Sequence, residues 1–353
     1  MSEKVLMKGN EAVGEAAIKA GCRYFFGYPI TPQNDIPEYM SRRLPEVGGE
    51  FLQAESEVAA SNMVYGAAGA GARVMTSSSS PGISLKAEGI SYIVGAELPA
   101  VIVNIMRGGP GLGGIQPSQA DYFQATKGMA HGDIRLGVLA PYSVQELVDL
   151  TYEAFEMADK YRNPMLILGD GMIGQMMEPV EFKKEVDPEE LPRKEWATDG
   201  SPDRERNKLT SLALDAKVLE DLNLDIKEKY DRMREEEVRY DEYKLDDAEI
   251  VLVAFGTTAR ICISAIDVVR KEGIKAGLLR PITLFPFPTE PISDLCDQVE
   301  QFLTVEMNTG QMVEDVRMAV SGRRPVEFYG RTGGVVPSIE EICEKIKEMR
   351  GER

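Results

Sequence analysis

Glu57 is the first residue whose type and surroundings suggest chemistry. It opens a helix-like run of small and apolar residues, Gln53-Ala-Glu-Ser-Glu57-Val-Ala-Ala-Ser-Asn-Met-Val-Tyr-Gly66. The neighbours Val58, Ala59, Ala60, Met63 and Val64 would give that carboxylate apolar surroundings. Such a group can share a proton with a ring nitrogen pressed against it. Thiamine diphosphate needs that service. Its thiazolium carbon loses a proton only when a carboxylate at the far pyrimidine nitrogen favours the imino form of the ring. An acidic residue at a helix start also serves as a dipole or capping charge. Glu55 competes for the role, and the nine-residue spacing from Glu57 to Gly66 favours Glu57.

Three more segments carry residues of interest. Gly27-Tyr-Pro-Ile-Thr31-Pro32 follows a strand, where open α/β sheets bind ligands. Thr31 can offer its hydroxyl to a substrate, or can simply precede a proline in a turn. Ser77-Ser-Ser-Ser80-Pro-Gly82 lies between a strand and a helix. Its small residues, Ser80 and Gly82 among them, permit a planar ring to approach or an anion to sit at a helix N-terminus. An ordinary serine-rich turn is the alternative; no Gly-Lys-Ser/Thr makes it a nucleoside-triphosphate loop. Arg107 follows a buried strand and can grip a carboxylate with two parallel hydrogen bonds, or pair with a local acid. The glycines at 109, 111 and 114 match a dinucleotide fingerprint only formally. Pro110 interrupts it and no helix follows, so a flexible active-site loop is expected. The turns at Gly256 and Gly310 are read as packing and assembly features, with a phosphate role as the alternative.

The elements that would position these residues alternate. A helix is expected from Gly9-Asn10 to Gly21, with Asn10 as N-cap. Strands are expected at 23–26, 51–53, 73–76, 100–106, 134–139 and 165–168. Helices fill 56–70, 83–95 and 143–159. Short apolar strands between helices predict a doubly wound parallel sheet covered on both faces. The stretch 183–246 reads as a charged linker followed by an exposed helix. A second alternation predicts a smaller α/β domain over 247–353, with strands at 249–254 and near 275–279, 302–306 and 326–329.

The chain has 353 residues and a net charge of −18. That balance argues against nucleic-acid or anionic-membrane partners. Cys22, Cys262, Cys296 and Cys343 are widely spaced, so no metal or iron–sulfur site is expected from this chain alone. They read as buried thiols of a cytoplasmic protein. No apolar run is long enough to span a membrane. His131 is the only histidine, which leaves Ser-His and Cys-His catalysis a single candidate.

Taken together, Gly27–Gln33, Gln53–Ala60, Thr76–Gly82 and Arg107–Gly111 resemble the alpha subunit of the 2-oxoacid:ferredoxin oxidoreductases, over nearly the whole chain. The likeness is strongest to the branched-chain type, acting on 3-methyl-2-oxobutanoate, with the 2-oxoglutarate type a close second. The resemblance implies a pyrimidine-binding thiamine diphosphate domain over 1–182 and a transketolase-C-terminal-like domain after the linker. It implies Glu57 as the activating carboxylate, with Thr31 and Arg107 facing the 2-oxoacid. A beta subunit would hold the diphosphate, Mg2+ and an iron–sulfur cluster, since no Gly-Asp-Gly with a distant Asn-Asn continuation occurs here. Gamma and ferredoxin-like delta subunits would complete the complex. Coenzyme A would take the acyl group, and ferredoxin the electrons. A non-redox thiamine enzyme and a non-catalytic scaffold remain as alternatives.

Overall fold

The computed structural model describes residues 4–351. Its first part runs β1 (Val5–Lys8), α1 (Gly9–Lys19), β2 (Tyr24–Gly27), α2 (Asp35–Glu46), β3 (Glu50–Gln53), α3 (Glu57–Gly69), β4 (Val74–Ser78), α4 (Pro81–Gly95), β5 (Ala100–Met106), α5 (Tyr122–Thr126), β6 (Gly137–Leu139), α6 (Val144–Tyr161), β7 (Pro164–Asp170), α7 (Gly171–Gln175) and β8 (Met177–Val180). After an irregular stretch come α8 (Ala216–Glu236), β9 (Tyr240–Tyr243), β10 (Ile250–Val253), α9 (Gly256–Lys271), β11 (Ala276–Pro281), β12 (Thr283–Phe285), α10 (Thr289–Leu295), β13 (Gln301–Glu306), α11 (Met312–Val320), β14 (Val326–Gly330) and α12 (Ile339–Met349).

The central strands β4, β5 and β7 are buried at every position. Such continuous burial is what a parallel sheet with helices on both faces requires. The seven-stranded sheet has the order β12-β6-β7-β5-β4-β2-β3. Its pairs are parallel except β12 with β6. α1, α2 and α6 pack together as one group, and α3 with α4 as another. The second sheet has the order β14-β13-β10-β11-β9, again parallel except at its β9 edge. α9 packs with α12, and α10 with α11.

Several expectations need correction. Asn10 is not the N-cap of α1; Lys8 is, and Asn10 lies within the helix. Its buried side chain donates instead to Pro32 O (2.8 Å) and Asp35 Oδ2 (3.0 Å), tying α1 to the turn after β2. The strand expected at 134–139 is only Gly137–Leu139. β12 was not foreseen. It leaves the second alternation to pair with β6 of the first sheet, joining the two halves. β9 lies inside the stretch read as linker and helix. α8 carries the expected exposed ion pairs, Lys217–Asp221 among them. It also buries Ile226, Tyr230 and Met233 against the main core, so it is a packed element rather than a purely solvated one.

Candidate active site

Four adjacent parallel strands, β5-β4-β2-β3, end on the same side of the first sheet. Arg107 follows β5, the serine turn follows β4, Thr31 lies in the turn after β2, and Glu57 comes just after β3. The topology therefore gathers all five candidate residues at the carboxyl edge, where α/β sheets bind ligands.

Ser56 caps α3 by accepting from Ala59 N (3.1 Å), and Glu57 is the first helical residue. Glu57 is only 6% exposed, whereas Glu55 is open to solvent, so burial separates the two competitors. The helix runs on past Gly66 to Gly69. Gly82 faces Glu57 across the α3–α4 seam. A Cβ at Gly82 would stand 2.1 Å from Ser78 Oγ and 2.8 Å from Glu57 Oε1. Glycine is therefore required for this close approach. Gly82→Ala should cost about 1–3 kcal/mol through overpacking, read as a lower denaturant midpoint.

Farther along the same seam, Gly89 abuts Ser61, with Lys86 between the two contacts. Lys86 is completely buried and its Nζ donates to Thr76 Oγ1 (3.1 Å). Burial lowers its pKa to about 8, partly opposed by the Glu57 charge. The folded value lies below the ordinary 10.5, so the fold favours the neutral amine. Stability linked to this group is fully present above about pH 10.5 and is lost as pH falls through about 8. The difference corresponds to roughly 3 kcal/mol. Lys86→Met should therefore stabilise the fold at pH 7, because an apolar side chain of similar size avoids the buried charge. Denaturation curves should show that gain shrinking between about pH 8 and 10.5.

Ser80 connects this seam to Arg107. Its φ of 24° and ψ of −81° are strained for a residue with a side chain, a cost of about 1–3 kcal/mol that surrounding bonds must offset. Ser80 Oγ donates to Asp121 Oδ2 (2.6 Å) and accepts from Arg107 N (3.0 Å). Its hydroxyl is thus engaged within the protein, while Ser78 Oγ and Ser79 Oγ are buried without partners. Burial pushes the Asp121 carboxyl up, against the lowering effect of Ser80 and Asn104.

Arg107 is 7% exposed. It donates to Thr31 O (2.8 Å) and Leu112 O (3.2 Å), and its Nε lacks a partner. The local acid pair considered from sequence is absent among the described residues. A nearly buried guanidinium held only by carbonyls keeps its charge for an anion. Thr31 itself borders an open cavity of about 600 Å³ with Gln116, Met172 and Val336. The 108–114 loop is exposed from Gly109 to Gly114. Sequence reasoning missed Asn104, Asp121 and Lys86. Asn104 within the apolar strand Ala-Val-Ile-Val-Asn-Ile-Met and Lys86 within an apolar helix were the available signals.

His131 is exposed, with its carbonyl accepting from Ser91 Oγ (3.0 Å), far in sequence from these turns. All four cysteines are buried and unpaired. Among the described residues, no cluster of three or more His, Cys, Asp or Glu could hold a metal ion, and no helix is long and apolar enough to cross a membrane.

Known proteins share this architecture and sequence. A family profile described as pyruvate flavodoxin/ferredoxin oxidoreductase, thiamine diphosphate-binding, matches residues 15–244. A second, pyruvate:ferredoxin oxidoreductase core domain II, matches residues 248–342. The chain is 56% identical to the ketoisovalerate oxidoreductase subunit VorB of Methanothermobacter thermautotrophicus, over 98% of both chains. It is 37% identical to the 2-oxoglutarate synthase subunit KorA of the same organism, over 99% of this chain and 100% of that one. The 2-oxoglutarate:ferredoxin oxidoreductase from Magnetococcus marinus, solved with 2-oxoglutarate, coenzyme A and succinyl-CoA bound, matches with a TM-score of 0.89 and 26% identity. That match covers 98% of this chain and 65% of the other. A split-gene transketolase shares the fold, with a TM-score of 0.60 at 14% identity, over 97% of both chains.

Proposed function

Because the chain belongs to the 2-oxoacid:ferredoxin oxidoreductase family, we propose that it supplies the pyrimidine side of a shared thiamine diphosphate site and the grip on a branched 2-oxoacid, 3-methyl-2-oxobutanoate. The reaction converts that acid and coenzyme A into an acyl-CoA, carbon dioxide, a proton and a pair of electrons, which pass singly to ferredoxin. The observation that carries this reading is a buried carboxylate, Glu57, packed against the glycine start of α4, at the same sheet edge as a nearly buried guanidinium without an acid partner.

The residues present fit the cofactor. Gly82 lets the start of α4 pack directly on Glu57 and Ser78, and the buried Ser78 and Ser79 hydroxyls, without protein partners, are free to bond a polar ring beside Glu57. Thiamine diphosphate bound there would supply a nucleophilic carbon and an electron sink for decarboxylation. Glu57 holds a proton at the pyrimidine nitrogen and returns it, which suits a carboxylate screened from water. Gly82 lets Glu57 take its buried position against α4, and Ser80 fixes the turn before that helix. Arg107 orients the carboxylate of the 2-oxoacid through parallel hydrogen bonds. Thr31, whose carbonyl Arg107 holds, offers its hydroxyl to the same substrate.

Val58 and Leu85, 46% and 54% exposed, flank Glu57 and Gly82 with uncovered apolar surface. This supports a beta subunit closing over the site and contributing the diphosphate ligands, Mg2+ and an iron–sulfur cluster. Gamma and ferredoxin-like delta subunits complete the complex in this reading. The domain division follows the same family logic: pyrimidine-binding to residue 182, a connecting stretch to 246, and the transketolase-C-terminal-like part beyond.

The substrate is tested with the native complex isolated anaerobically through a tag on this chain. Viologen reduction with coenzyme A should be faster with 3-methyl-2-oxobutanoate than with 2-oxoglutarate. The reverse preference would keep the family and overturn the substrate.

A further inference from the structure

We propose that Asp121 is a positioning residue: it fixes the Ser80 turn and, through it, Arg107, so that the seating of the second sheet governs the grip on the substrate. This rests on the reading of Arg107 as the carboxylate-binding group.

Asp121 Oδ2 accepts from Ser80 Oγ (2.6 Å) and from Asn104 Nδ2 (2.9 Å). Asn104 Oδ1 in turn accepts from Ser80 N (3.1 Å). Both polar ends of a strained residue are therefore held by one carboxylate–amide pair. The direction of the bonds matters. A serine hydroxyl has one proton. While Asp121 takes it, Ser80 Oγ presents a lone pair to Arg107 N (3.0 Å). Ser80 Oγ also lies 3.2 Å from Arg107 O, so without Asp121 the same proton can turn to that carbonyl. Ser80 Oγ then bonds only to Arg107, and the turn that carries the guanidinium is no longer tied through that hydroxyl to Asp121.

The residues around Asp121 face the other way. Gln119 is fully buried; it donates to Phe255 O (2.8 Å) and accepts from Thr258 Oγ1 (3.1 Å) and Met307 N (3.1 Å). Asn308 Nδ2 donates to Gln119 O, and Gln311 Nε2 to Ala120 O, each at 2.8 Å. Tyr122 OH donates to Asp315 Oδ2 (2.5 Å). The run 119–122 is thus anchored to strand ends, turns and helices α9 and α11 of the second sheet's layer, with Asp121 turned toward the Ser80 turn. A shift of the second sheet moves Asp121, and an error of about an ångström at a substrate-orienting group can cost ~10²-fold in rate.

The test compares Asp121→Ala, Asp121→Asn, Ser80→Ala and Arg107→Ala in the assembled complex. Two quantities are read: KM for the 2-oxoacid and for coenzyme A, and the calorimetric Kd of a phosphonate analogue of the 2-oxoacid, which cannot lose carbon dioxide. Asp121→Ala should raise the 2-oxoacid KM and the analogue Kd by at least about tenfold, leaving the coenzyme A KM unchanged. Asp121→Asn, which keeps an acceptor oxygen, should recover most of the loss. Adding Ser80→Ala to Asp121→Ala should cause no further loss, because both cut the same path. If Arg107→Ala weakens the analogue and Asp121→Ala does not, the positioning role is overturned while the role of Arg107 stands. If neither weakens it, the reading of Arg107 falls as well. Should Asp121→Ala fail to assemble, Ser80→Ala and Asp121→Asn decide: wild-type Kd in Ser80→Ala overturns the proposal.

Discussion

Glu57→Gln should lower turnover by about 10²–10⁴-fold, the range for loss of a positioned proton-transfer group. Glutamine keeps the size and one oxygen of the side chain, but its amide cannot hold a transferable proton. Glu57 begins α3, and the cap bond comes from Ser56, so the helix keeps its start. Gly82 still leaves room for a side chain of the same length. Assembly with partner subunits should stay near that of the parent. Removing the charge also leaves Lys86 without its nearby anion, so Glu57→Gln should depress the Lys86 pKa further below about 8. Turnover within a factor of a few of the parent, in an intact complex, would sink the assignment of Glu57.

Arg107→Ala has the second largest expected effect. Truncating one partner of a hydrogen-bonded, desolvated charge pair costs about 2–5 kcal/mol, so kcat/KM for the 2-oxoacid should fall by roughly 30- to 5,000-fold. The coenzyme A KM should not change. Arg107→Lys keeps the charge and loses the planar fork, so it should recover only part of the loss. The structural cost is contained, since the guanidinium bonds lost are two, to Thr31 O and Leu112 O. An unchanged 2-oxoacid KM in Arg107→Ala would remove Arg107 from the substrate site.

The parallel sheet and the site turns were legible for a common reason. β4, β5 and β7 are buried at every position, and the apolar runs that begin them, Val-Met, Ala-Val-Ile-Val and Met-Leu-Ile-Leu, mark interior strands whose polar residues gather toward the carboxyl ends. Arg107 comes just after β5, the serines close β4 and run into the turn beyond it, and Thr31 lies in the turn after β2. Glu57 was legible because its neighbours are small and apolar and its spacing to Gly66 favours it over Glu55; in the structure burial also separates the two.

What was hidden depends on partners distant in sequence. β12 has three residues, with Pro281 and Pro286 close by, and its only signature is the edge of β6 that it meets. β9, Tyr-Asp-Glu-Tyr, reads as charged surface because one side of this edge strand faces solvent. Asn10 resembled a cap, since caps and buried amides use the same residue types; its true partners lie 22 and 25 positions away. Asp121 looked like one acid among many until the fold brought it to Ser80 and Asn104.

The most direct test of the account is hydrogen–deuterium exchange at the thiazolium carbon of thiamine diphosphate bound to the native complex, followed by rapid quench and NMR. With Glu57→Gln, exchange should slow by at least about 10²-fold while the cofactor stays bound and the subunits stay assembled. Exchange at the parent rate would show that the cofactor is activated without Glu57, and would contradict the account at its centre.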